Sequence, residues 1–265
     1  MGRLEPGKTH YLWLNMMKEG TGDDLRVPVI VAKGIEPGPT FGITSSVHGN
    51  EINGIPPIHR LMNELNPQNL CGTVMACPVV NQTGFYNNVR EFRDGKDLNR
   101  SFPGKPDGNS SQQFCFSVTE KLLSSLNYHV DLHTASFGRV NSFYIRADMQ
   151  NESVADMAWL CNPQIIVHNC GQPGTLRGAA TALGIHSITI EIGNPQVFQH
   201  ELGAQTFAGI RRILHHLKMY DLGSEVPTPP PNKEDTVLCD GGYWFYTRTG
   251  GLLEVHPGEL HHHCS

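Results

Sequence analysis

The stretch FGITSSVHGNEINGIPPIHRL, residues 41–61, decides the fold. Its first part, 41–47, is a short apolar run typical of a buried strand, and 52–65 carries apolar residues at helical spacing. Two prolines near the start of that second segment suit the first turn of a helix. The polar turn between the two segments carries His48 and Glu51. The stretch therefore predicts a strand–turn–helix unit with an imidazole and a carboxylate on its turn.

Strands and helices alternate along most of the chain. The predicted strands are 25–34, 41–47, 72–81, 128–134, 141–148, 164–170 and 186–193. The predicted helices are 52–65, 111–126, 151–161, 175–183 and 201–220. This alternation favours an α/β fold with a mixed or largely parallel central sheet. In such sheets ligands bind at the carboxyl ends of the strands. His48, His133 and Glu191 each lie at or near the end of a predicted strand.

The composition changes towards the C-terminal end of the chain. GSEVPTPPPNKED at 223–235 is Pro-rich, which is typical of a linker or an extended arm. Residues 236–265 contain β-type residues broken by Gly pairs, and about thirty residues rarely close a β-unit alone. We therefore predict a main domain at 1–222, a linker at 223–235, and the start of a small, incomplete β-domain at 236–265.

Charge and composition argue against several classes of function. Twenty basic and 25 acidic residues give a formal net charge of −5, and no Lys/Arg run predicts a nucleic-acid surface. No apolar run approaches membrane-spanning length, and the first residues lack the pattern of a signal peptide. Seven cysteines, irregularly spaced, favour free thiols in a reducing compartment. These features predict a cytoplasmic protein without a membrane or nucleic-acid partner.

A distant histidine, His133, makes a metal site a candidate interpretation of the turn residues His48 and Glu51. Taken alone, Glu51 suits the first turn of a helix, so helix capping is the simpler interpretation. His133 ends another apolar strand. A close pair of ligands plus a distant third is a common arrangement for catalytic zinc, with water in the fourth position. The alternative for His133 is a buried histidine bonded to a carbonyl group. Asp131 is then a strand-end carboxylate or an outer partner of a ligand histidine.

Glu191 interrupts the apolar strand ITIEIGNP. A buried carboxylate needs a partner or a shifted pKa. Near a metal-bound water, one carboxylate could act first as a general base and then as an acid. The alternative is a structural ion pair with an arginine.

Anion-binding side chains are concentrated in the loop NNVREFRDGKDLNRSFPG, residues 87–104. They are Arg90, Arg93, Asn99 and Arg100. Arginine binds carboxylates through two parallel hydrogen bonds, and asparagine adds a fixed donor. The acidic residues of the same loop nearly balance its charge, so a solvated charged loop is the alternative. Arg177, near a predicted helix start, is either another anion anchor or a surface residue.

Five motifs occur in a fixed order along the chain. They are VHGNE, GKDLNRSFPG, VDLHTA, GTLRGAA and ITIEIGNPQVF. Together, from about Leu25 to Pro257, they resemble the succinylglutamate desuccinylase/aspartoacylase family, which is related to the zinc carboxypeptidases. The resemblance implies a three-layer, zinc-carboxypeptidase-like α/β fold with a mixed central sheet. It also implies that the C-terminal β segment begins a domain that packs over the site entrance in this family.

The resemblance assigns roles to the same residues. One zinc ion per chain would be bound by His48, Glu51 and His133. Glu191 would activate water and protonate the leaving amine. Asn99 and Arg100 would hold the α-carboxylate of the substrate, and Arg177 would bind a second acidic group. An arginine upstream of the Asn–Arg pair would polarise the scissile carbonyl. This loop is about one residue shorter than usual, so the match to the family motif is imperfect here. Arg90 is the choice and Arg93 the alternative.

The implied activity is zinc-dependent hydrolysis of the amide bond of an N-acyl amino acid. The nearest alternative is a metallocarboxypeptidase acting on peptides, which would use the same zinc and arginine groups. A module that binds zinc or another ligand without catalysis is the alternative from a different class, although retention of Glu191 argues against it. Members of the family often self-associate, so a homo-oligomer is also an expectation.

Overall fold

The computed structural model describes residues 4–223 and 233–241, which form one nine-stranded sheet flanked by helices. The strands are β1 Lys8–Lys18, β2 Asp24–Lys33, β3 Glu36–Ser45, β4 Cys71–Cys77, β5 Tyr128–His133, β6 Phe143–Ala147, β7 Ile165–His168, β8 His186–Ile192 and β9 Val237–Cys239. The helices are α1 Ile55–Glu64, α2 Gln82–Asn87, α3 Ser110–Val118, α4 Glu152–Leu160, α5 Leu176–Ala182 and α6 His200–His216. A π-helical turn, Thr119–Leu123, continues α3.

The strand order is β1-β2-β4-β3-β5-β8-β6-β7-β9. The central strands β4, β3, β5 and β8 run parallel to one another, whereas β1, β2 and β6 form antiparallel pairs. The carboxyl ends of the central strands β3, β5 and β8 therefore lie side by side. We call this row of strand ends the site edge. The register sets His133 on β5 directly beside Glu191 on β8.

Each face of the sheet is covered by its own apolar core. One core packs α1, α4 and α6 against the sheet, with Ile58, Met157 and Ile210 fully buried. The other core packs α3 and α5 against the opposite face, with Phe114 and Leu176 fully buried. The prediction of a three-layer α/β fold with a mixed sheet is confirmed.

The observed elements differ from the sequence-based ones in two places. β1 was not predicted, and it pairs along its whole length with β2. The short helix α2 ends where the predicted loop 87–104 begins, and that loop contains a 3₁₀ turn at Leu98–Arg100. By contrast, α1 begins with proline in its first turn, as expected. The Asn151 side chain caps α4.

The C-terminal part of the predicted organisation is described only in part. Val237–Cys239, assigned from sequence to the β segment, forms β9 and pairs in parallel with β7 at one edge of the main sheet. Residues 224–232 and 242–265 lie outside the described residues, so the division into a main domain, linker and β-domain stays a prediction. Within 4–223 and 233–241, no helix is both long enough and apolar enough to cross a bilayer.

Candidate metal centre and substrate site

The turn after β3 brings His48 and Glu51 together without capping α1. The Glu51 amide donates to the His48 carbonyl at 3.1 Å, which closes the turn. α1 begins only at Ile55, and its N-cap residue, Gly54, makes no side-chain capping bond. The Glu51 carboxylate accepts instead from the backbone N–H of Thr134, at the end of β5. The helix-cap interpretation of Glu51 is therefore wrong, and its side chain belongs to the site edge.

Gly49 lets this turn pack tightly against α2. A Cβ atom at position 49 would overlap the backbone of Gly84 and Phe85. Because backbone cannot yield as a flexible side chain does, we expect Gly49→Ala to lower the free energy of unfolding by about 1–3 kcal/mol or more. Urea unfolding measures this. The matched control is Gly20→Ala, where an added Cβ meets nothing within 4 Å; equal losses in the two variants would contradict the packing argument.

Three ligand-type side chains converge at the site edge. The Nδ1 atom of His48 lies 2.8 Å from Glu51 Oε1, and the Nδ1 atom of His133 lies 2.8 Å from Glu51 Oε2. One donor atom from each residue lies within 4.8 Å of the other two, and all three residues are buried. Burial opposes the charge of Glu51, yet the two histidines lower its pKa to about 2. The carboxylate is therefore ionised in the folded protein.

The hydrogen bonds behind the cluster suit it to a divalent metal. His48 Nε2 contacts Asp97 Oδ1 at 3.0 Å, and His133 Nε2 contacts Asp131 Oδ2 at 2.8 Å. Carboxylates in these positions place the ring proton on Nε2 and leave the Nδ1 lone pair for a metal. His48 Nδ1 is buried and, although close to Glu51, has no hydrogen-bond partner among the described residues. Two imidazoles and one carboxylate are the ligand set of many catalytic zinc sites, so the residues fit zinc.

A second group of ligand-type residues does not have this character. Asp148, His168 and Cys170 also bring donor atoms within 4.8 Å, with Cys170 exposed. The Nδ1 atom of His168 accepts the backbone N–H of Met149 at 3.1 Å. That bond places the ring proton on Nε2, so neither ring nitrogen of the neutral imidazole offers a free lone pair. The His48–Glu51–His133 cluster is therefore the better metal site.

The structure separates the two candidate arginines of the loop. Arg90 reaches the site edge, where NH1 donates to Glu51 Oε1 at 3.1 Å and NH2 to Asp97 Oδ2 at 2.9 Å. Arg93 turns away and pairs with Glu19 at 2.6 Å. Of these two arginines, Arg90 lies beside the His48–Glu51–His133 cluster, so the geometry favours it over Arg93 as the residue that polarises a substrate carbonyl.

Asn99 and Arg100 lie on the 3₁₀ turn Leu98–Arg100, directly after Asp97. The Asp97 side chain accepts from the Asn99 backbone N–H at 2.8 Å, so one carboxylate orients both this turn and His48. Asn99 Oδ1 accepts from the Leu176 N–H, which directs the Asn99 amide NH₂ group away from α5. Arg100 is exposed, and its NH1 group donates to the Asn99 carbonyl.

Arg177 is buried rather than a surface residue. Its guanidinium group donates to the carbonyl and side-chain oxygens of Asn169 at 2.8 and 2.6 Å. Burial, together with the neighbouring charge of Arg146, lowers the pKa of Arg177 to about 10. Asn169 is neutral, so these hydrogen bonds do not neutralise the charge of Arg177, which Asp131 and Asp148 offset only in part. This environment favours a nearby anion.

Glu191 lies at the end of β8, next to the His48–Glu51–His133 cluster. Arg146 on the adjacent strand β6 approaches its carboxylate, with Nε 3.4 Å from Oε1. Tyr144 pairs with Glu191 across the two strands, and its hydroxyl accepts from Arg146. Burial raises the pKa of Glu191, opposed mainly by the charge of His133. A carboxyl group with a raised pKa beside a metal site is suited to exchange protons at neutral pH.

Several residues of the site were not predicted from the sequence. They are Thr44, Asp97, His129, Ser136, Tyr144 and Arg146. Asp97 lies inside the GKDLNRSFPG motif, so its spacing from the Asn–Arg pair was a usable signal. Tyr144 and Arg146 alternate along the strand FYIRA, which predicts two polar side chains on one face of the sheet.

The fold is that of the zinc-carboxypeptidase-like α/β proteins. Three solved structures share it, at 21–23% identity. A succinylglutamate desuccinylase from Silicibacter sp. TM1040 aligns with 96% of this chain and 79% of its own, with a TM-score of 0.80. A product-bound ectoine utilization protein from Ruegeria pomeroyi aligns over 89% and 73%, with a TM-score of 0.77. For a succinylglutamate desuccinylase/aspartoacylase from Rhodobacter sphaeroides, the values are 80%, 66% and 0.73.

Sequence similarity identifies the family. The sequence profile of the succinylglutamate desuccinylase/aspartoacylase catalytic domain matches residues 37–217. The chain is also 35% identical over 239 residues to an N-alpha-acetyl-L-2,4-diaminobutyric acid deacetylase from Halomonas elongata. That alignment covers 86% of the chain and 68% of the deacetylase, so the relative is the longer protein. The chain belongs to the succinylglutamate desuccinylase/aspartoacylase family.

Proposed function

We propose that this protein is a zinc-dependent hydrolase that cleaves the amide bond of an N-acyl amino acid. The observation that carries the proposal is the buried His48–Glu51–His133 cluster with Glu191 directly beside it. Membership of the family and the similarity to a deacetylase support the same reaction class. One zinc ion per chain would be held by the three clustered residues. When bound, zinc supplies a Lewis acid that polarises the carbonyl and increases the acidity of water.

Glu191 moves the protons of the reaction. Its carboxylate accepts a proton as water attacks the scissile carbonyl, and the resulting carboxylic acid donates that proton to the departing amine nitrogen. The raised pKa that burial gives Glu191 suits both transfers. Arg146 contacts one carboxylate oxygen and thereby limits the orientations of the side chain.

Arg90 is placed to stabilise negative charge on the substrate carbonyl oxygen. Its contacts with Glu51, Asp97 and Ser136 use four of its five N–H donors, so within the described residues one NH2 donor remains for substrate. Fixed donors of this kind contribute about 3–4 kcal/mol to transition-state stabilisation.

The remaining cationic groups indicate how the substrate is held. Asn99 and Arg100 offer donors for the α-carboxylate of the amino acid. Arg177 and Arg146 add positive charge on the Glu191 side of the metal cluster. We infer that substrates with a second acidic group are preferred over those with a basic side chain. The related deacetylase is named for a substrate with a basic side chain, so acidic and basic N-acyl amino acids are the substrates to compare.

An activity panel on the zinc-loaded protein tests the proposal. The panel contains N-acetyl and N-succinyl derivatives of aspartate, glutamate and 2,4-diaminobutyrate, together with simple dipeptides. We expect release of free amine from the N-acyl amino acids, abolished by a chelator and restored by zinc. Faster turnover of dipeptides would favour a carboxypeptidase instead. No turnover of any amide would contradict a hydrolytic function.

Arg100→Met tests the role proposed for the Asn–Arg pair. One charge-assisted hydrogen bond contributes about 1.5–3 kcal/mol, so we expect kcat/KM for N-acyl amino acids to fall about 10- to 150-fold. Matched N-acyl amino amides, which lack the α-carboxylate, should lose little. Arg93→Met is the control, because Arg93 pairs with Glu19 away from the site. Equal losses on acids and amides in Arg100→Met would refute carboxylate binding.

A further inference from the structure

Behind His133, on the side away from Glu51, a chain of buried polar side chains lies along one face of the sheet. Thr44 on β3 pairs in register with Asp131 on β5, and His129 on β5 pairs with Ser187 on β8. Their exposed fractions are 3%, 1%, 0% and 2%. Polar groups buried this deeply are costly unless they are hydrogen-bonded to one another. Neither the metal ligation nor the proton transfers proposed above account for Thr44, His129 or Ser187.

These groups form a continuous chain of hydrogen bonds. His133 Nε2 lies 2.8 Å from Asp131 Oδ2, and Thr44 Oγ1 lies 2.6 Å from Asp131 Oδ1. Thr44 Oγ1 also lies 2.9 Å from His129 Nε2, and His129 Nδ1 lies 2.9 Å from Ser187 Oγ. The chain therefore has five members, and each inner member contacts two others.

The number of donors and acceptors on each group determines which partner donates in every hydrogen bond of this chain. A carboxylate only accepts, so both His133 Nε2–H and the Thr44 hydroxyl donate to Asp131. Thr44 has a single O–H, so its oxygen accepts from His129, which must carry its proton on Nε2. In the neutral imidazole Nδ1 is then an acceptor, and the Ser187 hydroxyl donates to it. Burial, opposed by the charge of Asp131, lowers the pKa of His129 to about 4, which agrees with a neutral ring.

We propose that Thr44, His129 and Ser187 are positioning residues that lock Asp131 and, through it, the metal-binding tautomer of His133. This inference rests on the zinc assignment of the proposed function. Asp131 has two oxygens, and the chain dedicates one to Thr44 and the other to His133. Ligand preorganisation of this kind extends the histidine–carboxylate pair by three further groups, across strands β3, β5 and β8.

Metal affinity of the folded protein tests the chain directly. Apo forms of the wild type, Thr44→Val and His129→Leu are titrated with zinc against a chromophoric chelator. Loss of an outer partner of a ligand histidine typically weakens metal binding 10- to 100-fold. We expect about tenfold for Thr44→Val, which removes the bond to Asp131, and a similar or smaller loss for His129→Leu. Thr206→Val is the control, because this buried hydroxyl donates to the Leu202 carbonyl in α6.

Three further measurements separate positioning from simple packing. His129→Gln retains an N–H donor and an oxygen acceptor, so it should recover part of the affinity lost in His129→Leu. The double variant Thr44→Val/His129→Leu should bind zinc no more weakly than the poorer single variant, because both break one chain. Urea unfolding of the apo forms reports any loss of stability separately from affinity.

The outcomes distinguish this inference from the zinc assignment. A wild-type protein without stoichiometric zinc would overturn the zinc assignment and this role with it. The wild type could instead bind zinc, with the same affinity in folded Thr44→Val and His129→Leu. That result would overturn only the positioning role of the hydrogen-bond chain. Nitrogen NMR of the histidine rings gives a second decision. A neutral His129 with its proton on Nε2 supports the chain, whereas a charged ring or a proton on Nδ1 overturns it.

Discussion

Glu191→Gln is expected to lower kcat for N-acyl amino acid hydrolysis by about 10²–10⁴-fold while the protein keeps its zinc. Glutamine has nearly the same shape as glutamate, but it cannot accept a proton from water or return one to an amine. The proposed metal ligands His48, Glu51 and His133 are untouched by the substitution. Measurement of kcat together with zinc content by elemental analysis checks both halves of the expectation.

The alternative interpretation of Glu191, a structural ion pair with Arg146, makes a different prediction. Their atoms lie 3.4 Å apart, and the Arg146 side chain is 41% exposed. If the ion pair were the whole role, Arg146→Met and Glu191→Gln would cause similar losses. If Glu191 transfers protons, Arg146→Met should lose much less activity, because a base remains at the site. Normal turnover in Glu191→Gln would refute the assignment outright.

The parts of the site that could be predicted from sequence are those fixed by local patterns. His48, His133 and Glu191 end apolar runs, and parallel strands bring such ends to one edge. Helix α1 follows from its apolar spacing and its prolines. Each of these features depends on a few neighbouring residues, so the local sequence pattern is enough to predict it. The three-layer arrangement follows because apolar strands need helices on both faces of the sheet.

Other parts depend on contacts between distant segments. Arg90 and Arg93 are three residues apart in one loop, and neither has a local feature that favours it. The path of the loop decides, because it points Arg90 towards Asp97 and Arg93 towards Glu19. Likewise, the bonds of His129 to Thr44 and Ser187 require the order and register of β3, β5 and β8, which sequence spacing does not encode.

The edge strand β1 shows another reason for a missed element. Its outward-facing side chains include the exposed Tyr11 and Trp13, while Leu14 and Met16 are buried. Large apolar residues therefore lie on both faces, which obscures the alternation that identifies a half-buried strand. Tertiary pairing with β2, rather than a clear local pattern, defines this strand.

Glu51→Gln is expected to weaken zinc binding by more than about 100-fold, the upper end of the effect of outer partners, and to abolish turnover. Glu51 is 1% exposed and lies between His48 and His133, 2.8 Å from the Nδ1 atom of each. The amide keeps the volume but removes the negative charge that a divalent cation needs. It also places an NH₂ group against a donor, either Arg90 NH1 at the position of Oε1 or the Thr134 N–H at the position of Oε2, where only an oxygen is accommodated. Both effects act on the metal directly, whereas Glu191→Gln leaves the metal in place.

The contrast between the two variants makes the second prediction decisive. Glu64→Gln is the matched control, because this exposed glutamate on α1 pairs with Arg60 at 2.8 Å and is not part of the candidate site. Zinc affinity is measured by chelator competition, and circular dichroism verifies that each variant is folded. Glu51→Gln should be folded, low in zinc and inactive, whereas Glu191→Gln should be folded, zinc-loaded and inactive. Full zinc occupancy in folded Glu51→Gln would show that Glu51 is not a zinc ligand. The third ligand beside His48 and His133 would then be a different residue.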